Sequence, residues 1–276
     1  MNKKSPYKNF FTHILLILGG AVMLIPFYWM VATSLKAGAN VASIPPQWIP
    51  NPFVWSNYAE VWLKVDFGRY TLNSFFIVIL DVIGILLSCS MVAFGMAMFQ
   101  FKLKKVLYLG MLATLMLPFQ VTMIPGYFIW KSFGALNSYY PLIVPSFLGG
   151  AFGIFLLHQF YKSTTRELYE AATIDGCGPW TALWRIYFPL SRSVLSALAV
   201  FTFMGAWSNT IGPLLYLTDK KLFTLPLGLL FLRNEAGLEQ QILMAAAVIV
   251  TLPVVLVFLF AQKQFVEGIA STGLKG

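Results

Sequence analysis

Residues 161–192 read YKSTTRELYEAATIDGCGPWTALWRIYFPLSR, and we call this stretch the polar segment. Apolar runs flank it at about 140–160 and 193–217. Each run is long enough to cross a membrane, which takes about 20 mostly apolar residues in a helix. A membrane protein that keeps such a segment on one face of the bilayer presents it to water. We therefore predict that a soluble partner docks there.

The composition places the remaining chain in a lipid bilayer. Of the 276 residues, 58% are hydrophobic and 11% are charged, and the mean hydropathy is +0.75. One soluble core does not need so many apolar residues. Backbone groups in hydrocarbon must bond within their own segment, so the predicted fold class is all-α. We predict one polytopic transmembrane domain over residues 1–276, with six transmembrane helices at about 12–35, 72–100, 106–130, 140–160, 193–217 and 242–262.

The positions of the positive charges predict the orientation. If the spans alternate, 12 of the 19 Lys and Arg residues lie on the side that holds both termini and the polar segment. By the positive-inside rule this side is the cytoplasm. The first apolar run has no small-residue cleavage site after it, which indicates an uncleaved helix rather than a signal peptide. Because topology accounts for the net charge of +9, we expect no nucleic-acid partner.

The polar segment is predicted to form a helix, a tight turn and a second helix. Thr164 and Glu167 have the spacing of a capping box, which predicts a helix from near Thr165 to about residue 174. Gly176 suits a sharp turn because glycine adopts positive φ without steric cost. Pro179 suits the first turn of the second helix.

Two interpretations of the polar segment remain open from these residues. It could lie at the lipid interface as an amphipathic hairpin, since tryptophan, tyrosine and arginine are common there. Alternatively, small alanine side chains let a helix approach a partner closely, while acidic side chains meet basic groups on that partner. The residues predicted to form the docking surface are Glu167, Glu170, Ala171, Ala172, Asp175 and Gly176.

The chain resembles the membrane subunits of bacterial ATP-binding-cassette importers. Glu170-Ala171-Ala172-x-x-Asp175-Gly176 is similar to the EAA loop of these subunits. Further motifs follow in the same order over nearly the whole chain and resemble the carbohydrate-uptake branch, within it the shorter, MalG-like subunit: Asn73-Ser74, Met116–Pro125, Leu136–Tyr139, Phe152–Leu157, Leu225–Gly228 and Gly273–Gly276.

The resemblance implies a division of labour among several subunits in the bacterial cell membrane. This chain would pair with a second homologous permease subunit, and a solute-binding protein would deliver the sugar from outside. A cytoplasmic ATPase dimer would bind ATP and Mg²⁺, and its closure would move the polar segment as a coupling loop and rock the spans between inward-facing and outward-facing states. The chain lacks a Gly-rich phosphate-binding loop with a following Lys-Ser/Thr, so we expect it to bind no cofactor and to be non-catalytic. A polyol or glycerol phosphate remains an alternative substrate.

Five residues are candidates for the transport pathway. Asp81 is the acid placed well inside a span, where it costs about 2.5–3.5 kcal/mol, so it should face the bundle or a water-filled cavity. A hydrogen bond to a neighbouring serine or backbone group explains it equally well. The branch often has an acid after Trp-Asn, but residues 207–210 read WSNT here. The other candidates offer aromatic faces or amides to a sugar, with simple packing as the alternative: Gln120, Tyr127, Trp130 and Asn209.

Other classes of function fit the sequence less well. A self-contained secondary transporter would need more spans or an inverted repeat. An intramembrane enzyme would need paired acids or a serine–histidine arrangement in the spans, and Asp81 stands alone there. The histidines His13 and His158 lack metal-ligand spacing, so we expect no metal site.

Overall fold

The computed structural model describes residues 6–64, 66–164, 166–234 and 239–273. These ranges are mainly helical and contain no strand, which confirms the all-α class. A π-helical turn spans Leu183–Tyr187, and short 3-10 turns span Gly38–Asn40 and Lys220–Leu222. The α-helices are α1 Pro6–Ser34, α2 Ser56–Lys64, α3 Phe67–Met98, α4 Lys104–Thr114, α5 Phe119–Ser132, α6 Tyr140–Phe147, α7 Ala151–Ser163, α8 Arg166–Ile174, α9 Pro179–Ala182, α10 Phe188–Leu190, α11 Arg192–Trp207, α12 Ile211–Tyr216, α13 Leu225–Asn234 and α14 Gln240–Gly273.

The described chain has four helical segments that are long and apolar enough to cross a membrane, and up to six if each of two bent helix pairs counts as one span. The upper number agrees with the predicted six spans. The four unbent segments are Phe10–Ser34, Phe67–Met98, Tyr140–Ser163 and Gln240–Gln262.

The two bent pairs correct the predicted shapes of spans three and five. Instead of one helix over 106–130, α4 and α5 meet at 102°. The break occurs before Pro118, because a residue that precedes proline avoids the helical region. Pro118 itself has an extended backbone and is the N-cap of α5. Span five was predicted as one helix over 193–217, but α11 ends at Trp207. The helical stretch Pro179–Leu190 comes before α11, and the axes of these two helices differ in direction by 79°.

The described residues divide into two compact units. The first lies within Met1–Phe67 and Leu229–Leu252, and the second within Gly68–Gly228 and Pro253–Gly276. The polar segment and all five pathway candidates belong to the second unit. The single transmembrane domain over residues 1–276 stays a prediction.

In the first unit, the loop after α1 is fastened to the end of that helix. The Asn57 amide donates hydrogen bonds to the carbonyls of Ser34 (2.8 Å) and Lys36 (2.9 Å). The buried Lys36 ammonium lies 3.9 Å from the centre of the Trp29 ring. No residue in the most apolar stretch of Phe10–Ser34 is buried inside the chain, so this helix offers its surface to lipid or to another subunit.

In the second unit, glycine lets α3 approach its neighbours closely. A Cβ atom at Gly84 would lie 2.8 Å from the Phe147 ring and 3.1 Å from the Ser146 carbonyl carbon. At Gly153 of α7, a Cβ atom would lie 2.8 Å from the Cys89 sulfur. Small residues favour helix association in membranes because association there depends on close packing rather than on hydrophobic transfer.

The core of the second unit includes part of the polar segment. Buried residues of α3, α7 and α11 surround the helix that follows Pro179. This helix is therefore anchored in the core. The buried members are Cys89, Ala93, Phe94, Ile154, Leu157, Tyr161, Ala182, Leu183, Tyr187, Val194, Leu195 and Leu198.

Two alanine substitutions in α3 test the close helix contact. Gly84→Ala should lower the free energy of unfolding by about 1–3 kcal/mol, because the added methyl group overpacks the contact with α6. Gly95→Ala is the matched control, since a Cβ atom there meets nothing within 4 Å. It should be neutral or stabilise by up to about 1 kcal/mol, because alanine is the better helix former. The midpoint of heat-induced aggregation in detergent measures both, and equal midpoints would contradict the contact.

Candidate functional site

The polar segment forms the predicted helix, turn and helix. The first helix is α8, and Thr165, at its predicted start, lies outside the described residues. At the turn Gly176 has φ of +82°. Its N–H donates to the Thr173 carbonyl (3.1 Å), and the Cys177 N–H donates to the Ala172 carbonyl (2.8 Å). This pair of bonds is a Schellman motif, which places glycine in the left-handed region to end a helix.

α8 and the turn expose acidic residues. Of the residues predicted to dock a partner, the exposed ones are Glu167, Glu170, Ala171, Asp175 and Gly176. Ala172 differs from the expectation, since it is only 7% exposed and is buried within its own chain. Its small side chain thus favours close packing of α8 on the rest of the chain, and Ala171 alone of the pair remains available to a partner.

Large apolar side chains accompany these acids at the turn. Ile174 is 85% exposed and Trp180 is 64% exposed. Exposed apolar surface next to charged groups marks a site of protein or membrane contact. The turn therefore has the chemistry of a docking surface or of an interfacial hairpin.

An aromatic cluster connects α8 to the spans. The Phe94 ring of α3 has its centroid 5.9 Å from that of Tyr169, 6.3 Å from that of Tyr161 and 5.2 Å from that of Tyr187. The rings meet edge to face, the geometry that aromatic quadrupoles favour. Tyr161 and Tyr187 are fully buried. Sequence reasoning missed this cluster, although tyrosines recurring through a polar segment were a visible signal.

Ser191 stands at the bend between α10 and α11. It is fully buried, and its hydroxyl donates to the Tyr187 carbonyl (2.9 Å). The same oxygen lies 3.4 Å from the Tyr161 hydroxyl. One serine therefore links the polar segment to α7 where the chain enters α11.

The pathway candidates fall into two groups. Asp81 and Asn209 line one cavity of about 20 Å³. That volume holds about one water molecule and no sugar. The other candidates lie on α5, where Gln120 is exposed and Tyr127 and Trp130 are half-buried.

Asp81 and Asn209 also have structural partners. The Ser146 hydroxyl donates to the Asp81 carboxylate (2.7 Å), as expected if a neighbouring serine satisfies this buried acid. The Asn209 side-chain oxygen accepts from the Gly212 N–H (3.0 Å) and caps the first turn of α12. A role of either residue in the pathway stays a prediction.

Asn73 and Ser74 hold the segment between α12 and α13. The Asn73 amide donates to the carbonyls of Lys221 and Phe223, at 2.9 Å each. The Ser74 hydroxyl accepts from the Leu225 N–H (2.7 Å). The sequence had marked these residues only as part of a motif.

Asn137 holds the other end of the same segment. Its side-chain oxygen accepts from the N–H groups of Thr218 (3.0 Å) and Asp219 (2.9 Å). Its own N–H donates to the Tyr216 carbonyl (2.8 Å). Asn137 has φ of +54°, which asparagine tolerates better than most residues.

The described residues contain no group of three or more His, Cys, Asp or Glu that could hold a metal ion.

Residues 84–271 match the family model for the binding-protein-dependent transport system inner membrane component. Over 266 residues the chain is 31% identical to the diacetylchitobiose uptake system permease protein NgcG of Streptomyces coelicolor, covering 95% of this chain and 87% of that protein. It is 31% identical over 272 residues to the sn-glycerol-3-phosphate transport system permease protein UgpE of Yersinia pestis, covering 96% of each chain.

A solved structure shares the fold. This is the crystal structure of a bacterial ABC transporter involved in the import of the acidic polysaccharide alginate. The TM-score is 0.83 at 20% sequence identity, over 95% of this chain and 99% of that chain. At this identity the similarity concerns the fold alone.

The aromatic cluster predicts how α8 is held. Tyr169→Ala removes the ring that contacts Phe94, so the amides of residues 167–174 should exchange hydrogen about two- to tenfold faster, as expected for an aromatic pair of about 0.5–1.5 kcal/mol. Ile174→Ala is the control on the same helix, because this side chain is largely exposed. Hydrogen exchange with mass spectrometry measures both variants. Unchanged exchange in Tyr169→Ala would show that the cluster does not hold α8.

Proposed function

The chain belongs to the family of inner membrane components of binding-protein-dependent transport systems, and we propose that it is the permease subunit of a bacterial importer for a sugar or oligosaccharide. The observation that carries this proposal is the near full-length similarity to permeases of a diacetylchitobiose system and a glycerol phosphate system. The family match confirms the resemblance to importer subunits that the sequence motifs indicated.

A neutral sugar is the main candidate substrate, and glycerol 3-phosphate is the second. The similarity to the glycerol phosphate permease of Yersinia pestis, which covers 96% of each chain, supports the second candidate. However, the five pathway candidates are one acid, two amides and two aromatic residues, and they include no cation. Proteins recognise phosphate chiefly with arginine and lysine. The chemistry of these residues therefore favours an uncharged sugar.

We propose that the chain works with a second permease subunit, a cytoplasmic ATPase dimer and an external solute-binding protein. The family consists of components of binding-protein-dependent transport systems, and this supports the proposed solute-binding partner. ATP and Mg²⁺ would bind to the ATPase subunits, and this chain would be non-catalytic. The distribution of Lys and Arg supports an orientation with both termini and the polar segment in the cytoplasm.

The polar segment would couple the ATPase to the spans. Glu167, Glu170 and Asp175 are exposed and offer negative charge to a basic groove, while Ala171 allows close approach. Movement of α8 would reach α3 through the contact of Tyr169 with Phe94, and reach α11 through the helix that contains Tyr187. The exposed acids would select the partner, and the buried rings would transmit its motion.

The break between α4 and α5 supports a pathway along α5. Irregular backbone at membrane depth must be buried in protein or line a water-filled cavity. Residues 115–118 are irregular, and Leu115, Met116 and Leu117 are exposed in this chain. Gln120 lies in the first turn of α5, and Tyr127 lies two helical turns further on the same face. We propose that this face, with Trp130 beside it, borders the solute.

Substitutions at Gly176 test the coupling role. Gly176→Val should abolish solute uptake, because a β-branched residue is strained at positive φ. Gly176→Asn should retain most uptake, since asparagine tolerates this conformation and a Cβ atom there meets nothing within 4 Å. Glu170→Lys should also reduce uptake by reversing a charge on the docking surface. Uptake is normalised to membrane abundance, and normal uptake by Gly176→Val and Glu170→Lys at normal abundance would reject coupling.

Uptake of defined solutes tests the function. Cells that lack this chain should lose uptake of a neutral sugar such as diacetylchitobiose, and the wild-type chain should restore it. Loss of glycerol 3-phosphate uptake instead would favour the second candidate. The control is the Gly176→Val chain, which should be present in the membrane without restoring uptake. Unchanged uptake of sugars, polyols and glycerol 3-phosphate alike would contradict the importer assignment.

A further inference from the structure

A large pocket opens beside the polar segment, between the end of α3, the start of α4 and the end of α7. Its volume is about 570 Å³. Its lining includes four lysines, and the described lining residues include no acid. We call it the basic pocket; its lysines are Lys102, Lys104, Lys105 and Lys162.

A buried histidine lines the same pocket. His158 of α7 is only 8% exposed, and its ring centroid lies 4.5 Å from that of Tyr108 of α4. The His158 Nδ1 atom is buried and has no hydrogen-bond partner among the described residues.

The start of α4 adds positive potential. The helix begins at Lys104, and its N-cap residue Leu103 makes no side-chain capping bond. The first N–H groups of a helix lack intrahelical partners and carry the positive end of the helix dipole. The lysines and the helix start therefore both favour an anion in this pocket.

The remaining lining is apolar and defines the rest of the ligand. Met96, Met98 and Phe101 belong to the same pocket as the lysines. An inorganic anion alone would leave this surface unused, whereas a phosphate attached to an apolar group would cover it. Basic pockets between transmembrane helices on the cytoplasmic side suit the head groups of anionic lipids.

We propose that the basic pocket binds a phosphate ester, with the phosphate against Lys102, Lys105 and Lys162 and the apolar part against Met98 and Phe101. An anionic phospholipid of the cytoplasmic leaflet and a soluble phosphate compound share this chemistry. The site contains none of the five pathway candidates. It does not depend on which solute is transported, so its test is independent of the uptake experiments.

The test measures binding of fluorescent phosphatidylglycerol to the full chain, purified with its associated subunits in phosphatidylcholine nanodiscs. The triple variant Lys102→Gln, Lys105→Gln and Lys162→Gln should bind about 100-fold more weakly, because each lysine near an anionic surface contributes about a fivefold effect. The control variant Lys131→Gln, Lys220→Gln and Lys221→Gln removes equal charge on the predicted outer side. It should bind like the wild type.

Inorganic phosphate distinguishes the two sources. Displacement of the lipid by inorganic phosphate, with loss of that displacement in the triple variant, would identify a soluble phosphate as the ligand. Lysine-dependent lipid binding that inorganic phosphate does not displace would identify the phospholipid.

If the triple variant does not fold, the single variant Lys105→Gln at an exposed position replaces it. Equal lipid binding by the wild type, the pocket variants and the outer control, with no effect of inorganic phosphate, would overturn the proposal.

Discussion

Within a bilayer, helices associate only where their surfaces meet closely, and α3 provides this contact for the second unit. Gly84 leaves room for Phe147 of α6, and Gly153 leaves room for Cys89 of α3. The Ser88 hydroxyl oxygen lies 2.6 Å from the Gly84 carbonyl oxygen and 2.9 Å from that of Ser146, so its single proton donates to one of these two acceptors within hydrocarbon. Everything that α3 positions further along the chain, including Phe94, depends on this packing.

The polar segment combines two kinds of interaction that differ in strength and purpose. Ion pairs between its exposed acids and a partner would contribute about 0–1 kcal/mol and be screened by salt, which suits the reversible docking that we propose. Edge-to-face ring pairs add about 0.5–1.5 kcal/mol each beyond their burial, and three such pairs meet at Phe94. One of these pairs, Tyr169 with Phe94, attaches α8 to the cluster. Burial of Ala172 reinforces this attachment.

Local chemistry was enough to predict part of this structure. Apolar length predicted the unbent spans, and the backbone freedom of glycine predicted the turn at Gly176. A kink at Pro118 was expected, but the size of the bend before α5 was not, because a proline in the sequence does not state the angle. The partner of Asp81 is 65 residues away, so only the packing of α3 on α6 identifies Ser146. The amide of Asn209 suggested sugar binding, whereas in the structure its side-chain oxygen accepts a hydrogen bond from the Gly212 N–H in the first turn of α12.

The segment between α12 and α13 is held at both ends through its main chain, while the buried side chains of Leu217 and Phe223 anchor it in the core. Asn73 binds two carbonyl groups there, and Asn137 binds two N–H groups. Contacts of this kind do not depend on which side chains the segment carries. The shape of the segment can therefore persist while its exposed side chains, such as those of Thr218, Lys220 and Lys221, are exchanged. A surface built in this way can acquire a new specificity without refolding of the helices that support it.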